Sequence, residues 1–128
     1  MSKLEKFEDL IAWQKAREAT KDIYLLTRKG DLARDYGLSG QMQRAAVSIM
    51  ANIAEGFERK RRAEFHQFLS VDKASCAELR SHLYVAFDVG FLNVDNFKKL
   101  IARNEELGKI IGGLRVAVAR QRDEDLKK

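Results

Sequence analysis

No proline occurs in this chain of 128 residues. Proline ends or kinks a helix, because its ring removes an amide donor and clashes with the preceding turn. Its absence therefore leaves room for long, uninterrupted helices, and it weakens any fold built from many β-turns. Apolar residues also recur at a spacing of about 3.6 through most of the sequence, the period of helices with one oily face. Together these features predict an all-α chain.

The spacing predicts four helices. The first covers about 8–29, with Leu10, Ile11, Trp13, Ala16, Ala19, Ile23, Tyr24 and Leu26/Thr27 on its core side and Gly30 as a left-handed stop. Residues 31–37 form the longest connection. The second helix covers about 40–57, with the Ser39 hydroxyl as N-cap. It carries two apolar stripes, one of Leu38, Met42, Ala45, Ile49 and Ile53, the other of Ala46, Met50, Ala54 and Phe57. A helix apolar on two sides is largely buried, or shared with a neighbouring subunit. The third helix covers about 61–89, from Phe65 and Leu69 through Leu79 and Leu83 to Phe87. No Ser, Thr, Asp or Asn caps its start; Gly56 and the nearby basic run mark the break before it, and Gly90 offers its C-cap. Asn93 starts the fourth helix, about 94–122, whose stripe holds Phe97, Leu100/Ile101, Leu107, Ile111, Leu114 and Val118. Residues 123–128 are a polar tail expected to fray. The later connections are short, which makes sequential helices antiparallel neighbours. One up-down-up-down four-helix bundle, a single domain over 1–128, follows.

Hydrophobic residues make up 45% and charged residues 34%, enough to fill a core and solvate a surface, so disorder is not expected. Lys and Arg number 24 against 19 Asp and Glu, a formal charge of +5. The surplus sits in the first and last parts of the chain. A surface of this kind can attract phosphates, although ordinary solvated surfaces share the balance. Cys76 is the only cysteine, so no disulfide forms within the chain, and a reducing compartment is expected. Met1-Ser2-Lys3 leads into no apolar segment, and no run approaches the roughly 20 apolar residues of a membrane span. The expected location is the cytoplasm.

Two polar constellations stand out. Gln41, Arg44, Ser48, Asn52 and Glu55 step by three or four and line one face of the second helix; Ser75 and Glu78 sit on the third. The plainest expectation is a structural network, with Arg44 paired to Glu78 and Asn52 bonded to Ser48, that fixes helix register. The alternatives are a ligand site or a face turned to another subunit. The run Arg59-Lys60-Arg61-Arg62 is the densest charge in the chain, diluted by Glu55, Glu58 and Glu64. It reads either as a solvated junction or as a phosphate contact. Antiparallel topology places it at the same end of the bundle as Arg115, Arg120 and Arg122, so these residues can form one basic rim.

The remaining signals are bland. Gly108, Gly112 and Gly113 each cost a helix about 1 kcal/mol, and mark either a weakened helix or a close approach. Trp13 and Cys76 read as core groups. His66 and His82 fall near opposite faces of the third helix and cannot share a metal without other ligands. There is no HExxH, CxxC, GxxxxGK or GxGxxG, no paired Glu-x-x-His, and no nucleophile with a base. No catalytic residue, metal or cofactor is expected, and no enzyme.

Several stretches carry a family likeness. They are Phe7-x-Asp9-Leu10-x-x-Trp13-Gln14-x-Ala16, then Arg44-Ala45-Ala46-Val47-Ser48-Ile49-x-x-Asn52-Ile53-Ala54-Glu55-Gly56, then Glu64-Phe65-x-x-Phe68-Leu69 and Ala74-Ser75-x-x-Glu78-Leu79. From about Phe7 to Leu114 the chain resembles the bacterial four-helix bundle proteins encoded in intervening sequences of 23S ribosomal RNA genes. The resemblance implies an up-down bundle assembled into a homopentameric ring. It implies no settled function: some relatives carry a ribosomal-protein label, and the bundle is similar to the accessory protein of diversity-generating retroelements, which partners a reverse transcriptase. Where relatives often have Ser or Thr, Lys60 and Arg61 stand here, which favours nucleic acid. A ring also multiplies each chain's +5. The expectation is a noncatalytic homo-oligomer binding RNA or DNA through phosphates; the alternative is a scaffold or accessory factor with a protein partner and no nucleic acid.

Overall fold

The structure, a computed structural model, describes residues 4–121. Its long elements are α1 (Ile11–Thr27), α2 (Tyr36–Glu58), α3 (Arg62–Asp88) and α4 (Val94–Arg120). Short 3-10 turns at Phe7–Asp9 and Gly30–Arg34 precede α1 and α2. Each helix packs on its sequence neighbours, and α1 closes the bundle against α4, consistent with an up-down arrangement.

Local chemistry sets the boundaries. Leu10 is extended, so α1 starts three residues later than the periodicity suggests. As a result Ile11 is exposed and Ala12 takes the inward position. At the start of α2 the cap is Asp35 and not Ser39: the Asp35 carboxylate accepts from the Leu38 amide at 3.0 Å. A carboxylate there also complements the positive end of the helix. Ser39 is buried inside the first turn, where its hydroxyl donates to the Asp35 carbonyl at 2.8 Å. The expected long connection is thus mostly a 3-10 turn, with Leu32 buried at its centre. Asn93 caps α4 as expected, accepting from the Asn96 amide at 2.8 Å. Gly30 and Gly90 both lie in the left-handed region, at φ 58° and 87°. The fourth helix ends at Arg120 because Gln121 is extended, two residues short of the expected 122; the tail 123–128 lies outside the described residues.

The core runs the length of the bundle. Met42, Ile49 and Ile53 of α2 face inward with Leu69, Leu79 and Leu83 of α3, and all are at most 2% exposed. Burying one such side chain contributes about 1.5–3 kcal/mol, so this seam supplies a large share of the stability. Ile111 and Val118 bring α4 onto it. The second α2 stripe is also covered largely from within the chain: Ala46 and Phe57 are buried, Met50 and Ala54 half-buried. The apolar surface α2 leaves open to solvent is narrower, namely Val47 and Ala51 along its length and Tyr36 at its start.

Two glycine expectations change. Gly56 does not break α2; it is buried two residues before the helix ends. A Cβ there would lie 2.8 Å from the Phe68 Cβ and 2.9 Å from the Phe65 ring. Only glycine lets α2 and α3 approach so closely. On α4 the helix continues through Gly108, Gly112 and Gly113. Lys73 of α3 lies across two of them, its Nζ donating to the Gly108 carbonyl at 3.1 Å. A Cβ at Gly112 would sit 3.5 Å from that Nζ, while Gly113 faces open space.

Overpacking in Gly56→Ala should cost about 1–3 kcal/mol, against roughly 1 kcal/mol that alanine gains in helix propensity, for a net destabilisation of up to about 2 kcal/mol. Urea unfolding measures this. An unchanged or raised midpoint would mean that the α2–α3 crossing is looser than described.

Candidate nucleic-acid interface

The α2–α3 reversal is built from basic residues. The Arg59 amide donates to the Glu55 carbonyl and the Lys60 amide to the Phe57 carbonyl, closing the last turn of α2. Lys60 then takes φ 58°, the left-handed conformation that closes such turns most cheaply with glycine. For a residue with a Cβ this costs about 1–2 kcal/mol. Arg61 returns to extended backbone, and its carbonyl accepts from the Phe65 amide at 2.9 Å to start α3.

The side chains are unequally engaged. The Arg59 guanidinium lies 3.8 Å from Glu64, 4.0 Å from Glu55, and over the Phe68 ring. The Lys60 ammonium sits 4.1 Å above the centre of the Phe57 ring. Arg62 is half-buried and has a partner of its own. Arg61 is exposed and enters no ion pair among the described residues. The antiparallel order carries the end of α4 to this same end of the bundle, with Arg115 half-buried and Arg120 exposed. Arg122 lies outside the described residues.

The expected polar network does not form as a buried unit. Gln41, Arg44, Glu55 and Glu78 are exposed, and Ser48, Asn52 and Ser75 half-buried. One contact matches expectation: the Asn52 amide donates to the Ser48 hydroxyl at 3.2 Å. Arg44 does not pair with Glu78. Its guanidinium folds back over Gly40, while Glu78 lies 3.8 Å from His82. The reason is rotational. With Met42, Ala45 and Ile49 turned to the core, the polar stripe between the two apolar ones turns outward.

The buried polar groups lie elsewhere, on Asp72 of α3 and Asn104 of α4. Asp72 is fully buried, and neither carboxylate oxygen completes a hydrogen bond. Burial pushes its carboxyl from the ordinary 3.8 up to about 8, while the nearby Asn52 amide pulls more weakly the other way. That amide gives one proton to Ser48, and its pull on Asp72 falls short of a completed hydrogen bond. Cys76, one turn on, is buried, and its thiol is raised to about 11, first by burial and then by the Asp72 charge. Asn104 is 5% exposed, with no partner for its Nδ2. Sequence reasoning passed over both residues, yet the period marks them. Asp72 falls between Leu69 and Cys76, and Asn104 between Leu100 and Leu107, at the spacing of core positions.

Trp13 is half-buried in edge contact with Phe7, with the Arg17 guanidinium over its ring. Among the described residues no group of three or more His, Cys, Asp or Glu is placed to hold a metal ion. No described helix is long and apolar enough to cross a membrane.

These features define an all-α up-down bundle with a basic reversal at one end and isolated polar groups inside its seams. The chain belongs to the 23S rRNA-intervening sequence protein family, which it matches over residues 8–113. The resemblance carried by the Arg44–Gly56 stretch and its companions thus holds. Its fold is similar to that of a protein of unknown function from the S23 ribosomal protein family of Bacteroides thetaiotaomicron. The two share a TM-score of 0.75 at 20% identity, over 82% of this chain and 95% of that one. No curated protein matches the chain.

Asp72 gives a pH prediction. Its proton is held more tightly in the folded chain (about 8) than in the unfolded one (near 3.8). The group therefore costs nothing below pH 4, and an increasing amount as pH rises towards 8, at up to about 1.4 kcal/mol per unit. Asp72→Asn should match the parent protein near pH 4 and be the more stable of the two at pH 8–9. Equal losses across that range, in urea melts, would mean that the carboxylate is charged and paired.

Proposed function

We propose that the protein is a noncatalytic, homo-oligomeric binding protein of the cytoplasm that associates with RNA or DNA through phosphates at its basic end. The observation that carries this reading is Lys60 in the left-handed conformation, at the apex of Arg59-Lys60-Arg61-Arg62. Glycine would close this turn at lower cost. A basic residue kept in a strained position suggests a role for its charge. Arg115 and Arg120 at the same end add to the field, and Arg122 follows in sequence. The acidic neighbours Glu55 and Glu64 engage Arg59 but leave Arg61 without an ion pair among the described residues. Contact through phosphates alone carries no base sequence.

Self-association is supported by the apolar residues that one chain leaves exposed. Val47 on α2 and Val71 on α3 are 43% and 44% exposed, beside the half-buried Ser48 and Asn52. A ring, as the family resemblance implies, would cover such residues and bring several basic ends together. The same surface favours a second reading, in which the chain is a scaffold or accessory factor holding another protein. Tyr36, 82% exposed, adds to it. The lone buried thiol of Cys76 suits a reducing cytoplasm.

Fluorescence anisotropy with a labelled single-stranded RNA separates the readings. The RNA should bind at about 50 mM salt and lose most of its affinity by about 200 mM. Arg61→Gln with Arg120→Gln should lower the slope of log K against log salt by about 1.4, at about 0.7 per lost phosphate contact. No binding at low salt, together with recovery of one protein partner whether or not nuclease is present, would favour the scaffold.

A further inference from the structure

A second basic locus lies away from the rim, in the groove between the middle of α3 and α4. It is a depression of about 480 Å³, with Lys73 and Arg80 on the α3 side and Glu105 and Lys109 on the α4 side. Three cations thus face one anion, and none of the four enters an ion pair among the described residues. Lys73 is held in place: its side chain lies over Gly108 and Gly112 of α4, and the Gly108 carbonyl takes one of its protons. Its ammonium keeps two further protons to donate.

The floor carries the second observation. Asn104 lines the groove, is 5% exposed as a residue, and has a buried Nδ2 with no acceptor. An orphaned buried donor costs about 1–3 kcal/mol. The two ends of an amide are nearly isosteric, so a half-turn about its last bond exchanges them without repacking. An oxyanion in the groove would then meet a neutral donor below and three cations around it.

From this geometry we infer that the α3–α4 groove is a phosphate-binding site, in which Lys73, Arg80 and Lys109 hold the anion and the Asn104 amide donates to it from the floor. The phosphate can be free or part of a polynucleotide backbone. Only the second source rests on the nucleic-acid reading above. Glu105 on the rim disfavours highly charged anions and suits a single phosphate group.

The test is nitrogen-15 NMR of the Asn104 side-chain amide, identified by its loss in Asn104→Ser. Inorganic phosphate is added against sodium chloride at matched ionic strength. Phosphate should shift the Asn104 signals and chloride should not. Arg80→Gln with Lys109→Gln, both exposed positions, should weaken the apparent phosphate affinity at least tenfold with an unchanged circular dichroism spectrum. A second arm uses a short oligouridylate. If the polynucleotide is the source, it moves the same signals, and the double variant lowers its salt slope by about 1.4. If RNA binds without moving Asn104 while phosphate still does, the site takes free phosphate. The inference is overturned if phosphate and chloride act alike on Asn104, or if the double variant responds as the parent does. RNA binding that is lost only in the Arg61/Arg120 variant would then leave the basic rim standing by itself.

Discussion

At Gly56 the α2 backbone passes so close to α3 that the space of one methyl group is taken by the Phe65 and Phe68 side chains. The rest of the bundle follows from that approach. It sets the depth at which the α2–α3 seam closes, so Ile53 and Leu69 are sealed from water. It also leaves little length for the reversal, which is completed between Glu58 and Arg62. A turn that tight needs a left-handed residue, and the chain puts Lys60 there. The crowding of α2 on α3 and the basic apex are thus one structural event. Interiors packed at crystal-like density transmit such local constraints and do not absorb them.

The seams are not uniformly oily. Asp72 and the Asn104 Nδ2 occupy core positions without hydrogen-bond partners, whereas the buried Thr27 and Ser39 hydroxyls bond to nearby backbone carbonyls. An unpaired carboxyl in the core is stable only as the neutral acid, so the folded chain holds a proton that the unfolded chain would release at neutral pH. Exposed ion pairs such as Lys15–Glu106 and Arg103–Asp22 bridge α1 and α4 but contribute little on their own. Stability therefore rests on the apolar seams, while the polar interior groups weaken them. Such groups mark positions where something other than packing has shaped the sequence.

The fold was legible because period and punctuation agree. The apolar spacing gave four helices in the right order, and Asn93, Gly30 and Gly90 act as their residue types predict. Where two capping residues competed, Asp35 took the role over Ser39, because the chain was already turning four residues earlier; short-range pattern cannot rank such neighbours. The basic reversal was legible as charge, but its strain at Lys60 was not, since φ is invisible in composition. The polar stripe of α2 misled for a simple reason. Its step matches a helix face, but which face is buried depends on how the helix is rotated in the bundle. Asp72 and Asn104 were hidden by the opposite error, in which an apolar stripe was read across its polar members. Lys73 crossing Gly108 and Gly112 needed coordinates, because no spacing on one helix shows what a neighbouring helix lays upon it.

The bundle covers its own core, and carries exposed apolar residues at its flank and basic residues at its end. On the proposed reading, assembly and polynucleotide binding would use different surfaces, so that one could be removed without the other. Sedimentation velocity of the purified protein at low salt, recorded at 260 and 280 nm before and after nuclease, measures both at once. The expected result is an oligomer whose excess 260 nm absorbance disappears with nuclease while the oligomer remains. A single protomer sedimenting without polynucleotide, before and after treatment, would contradict it.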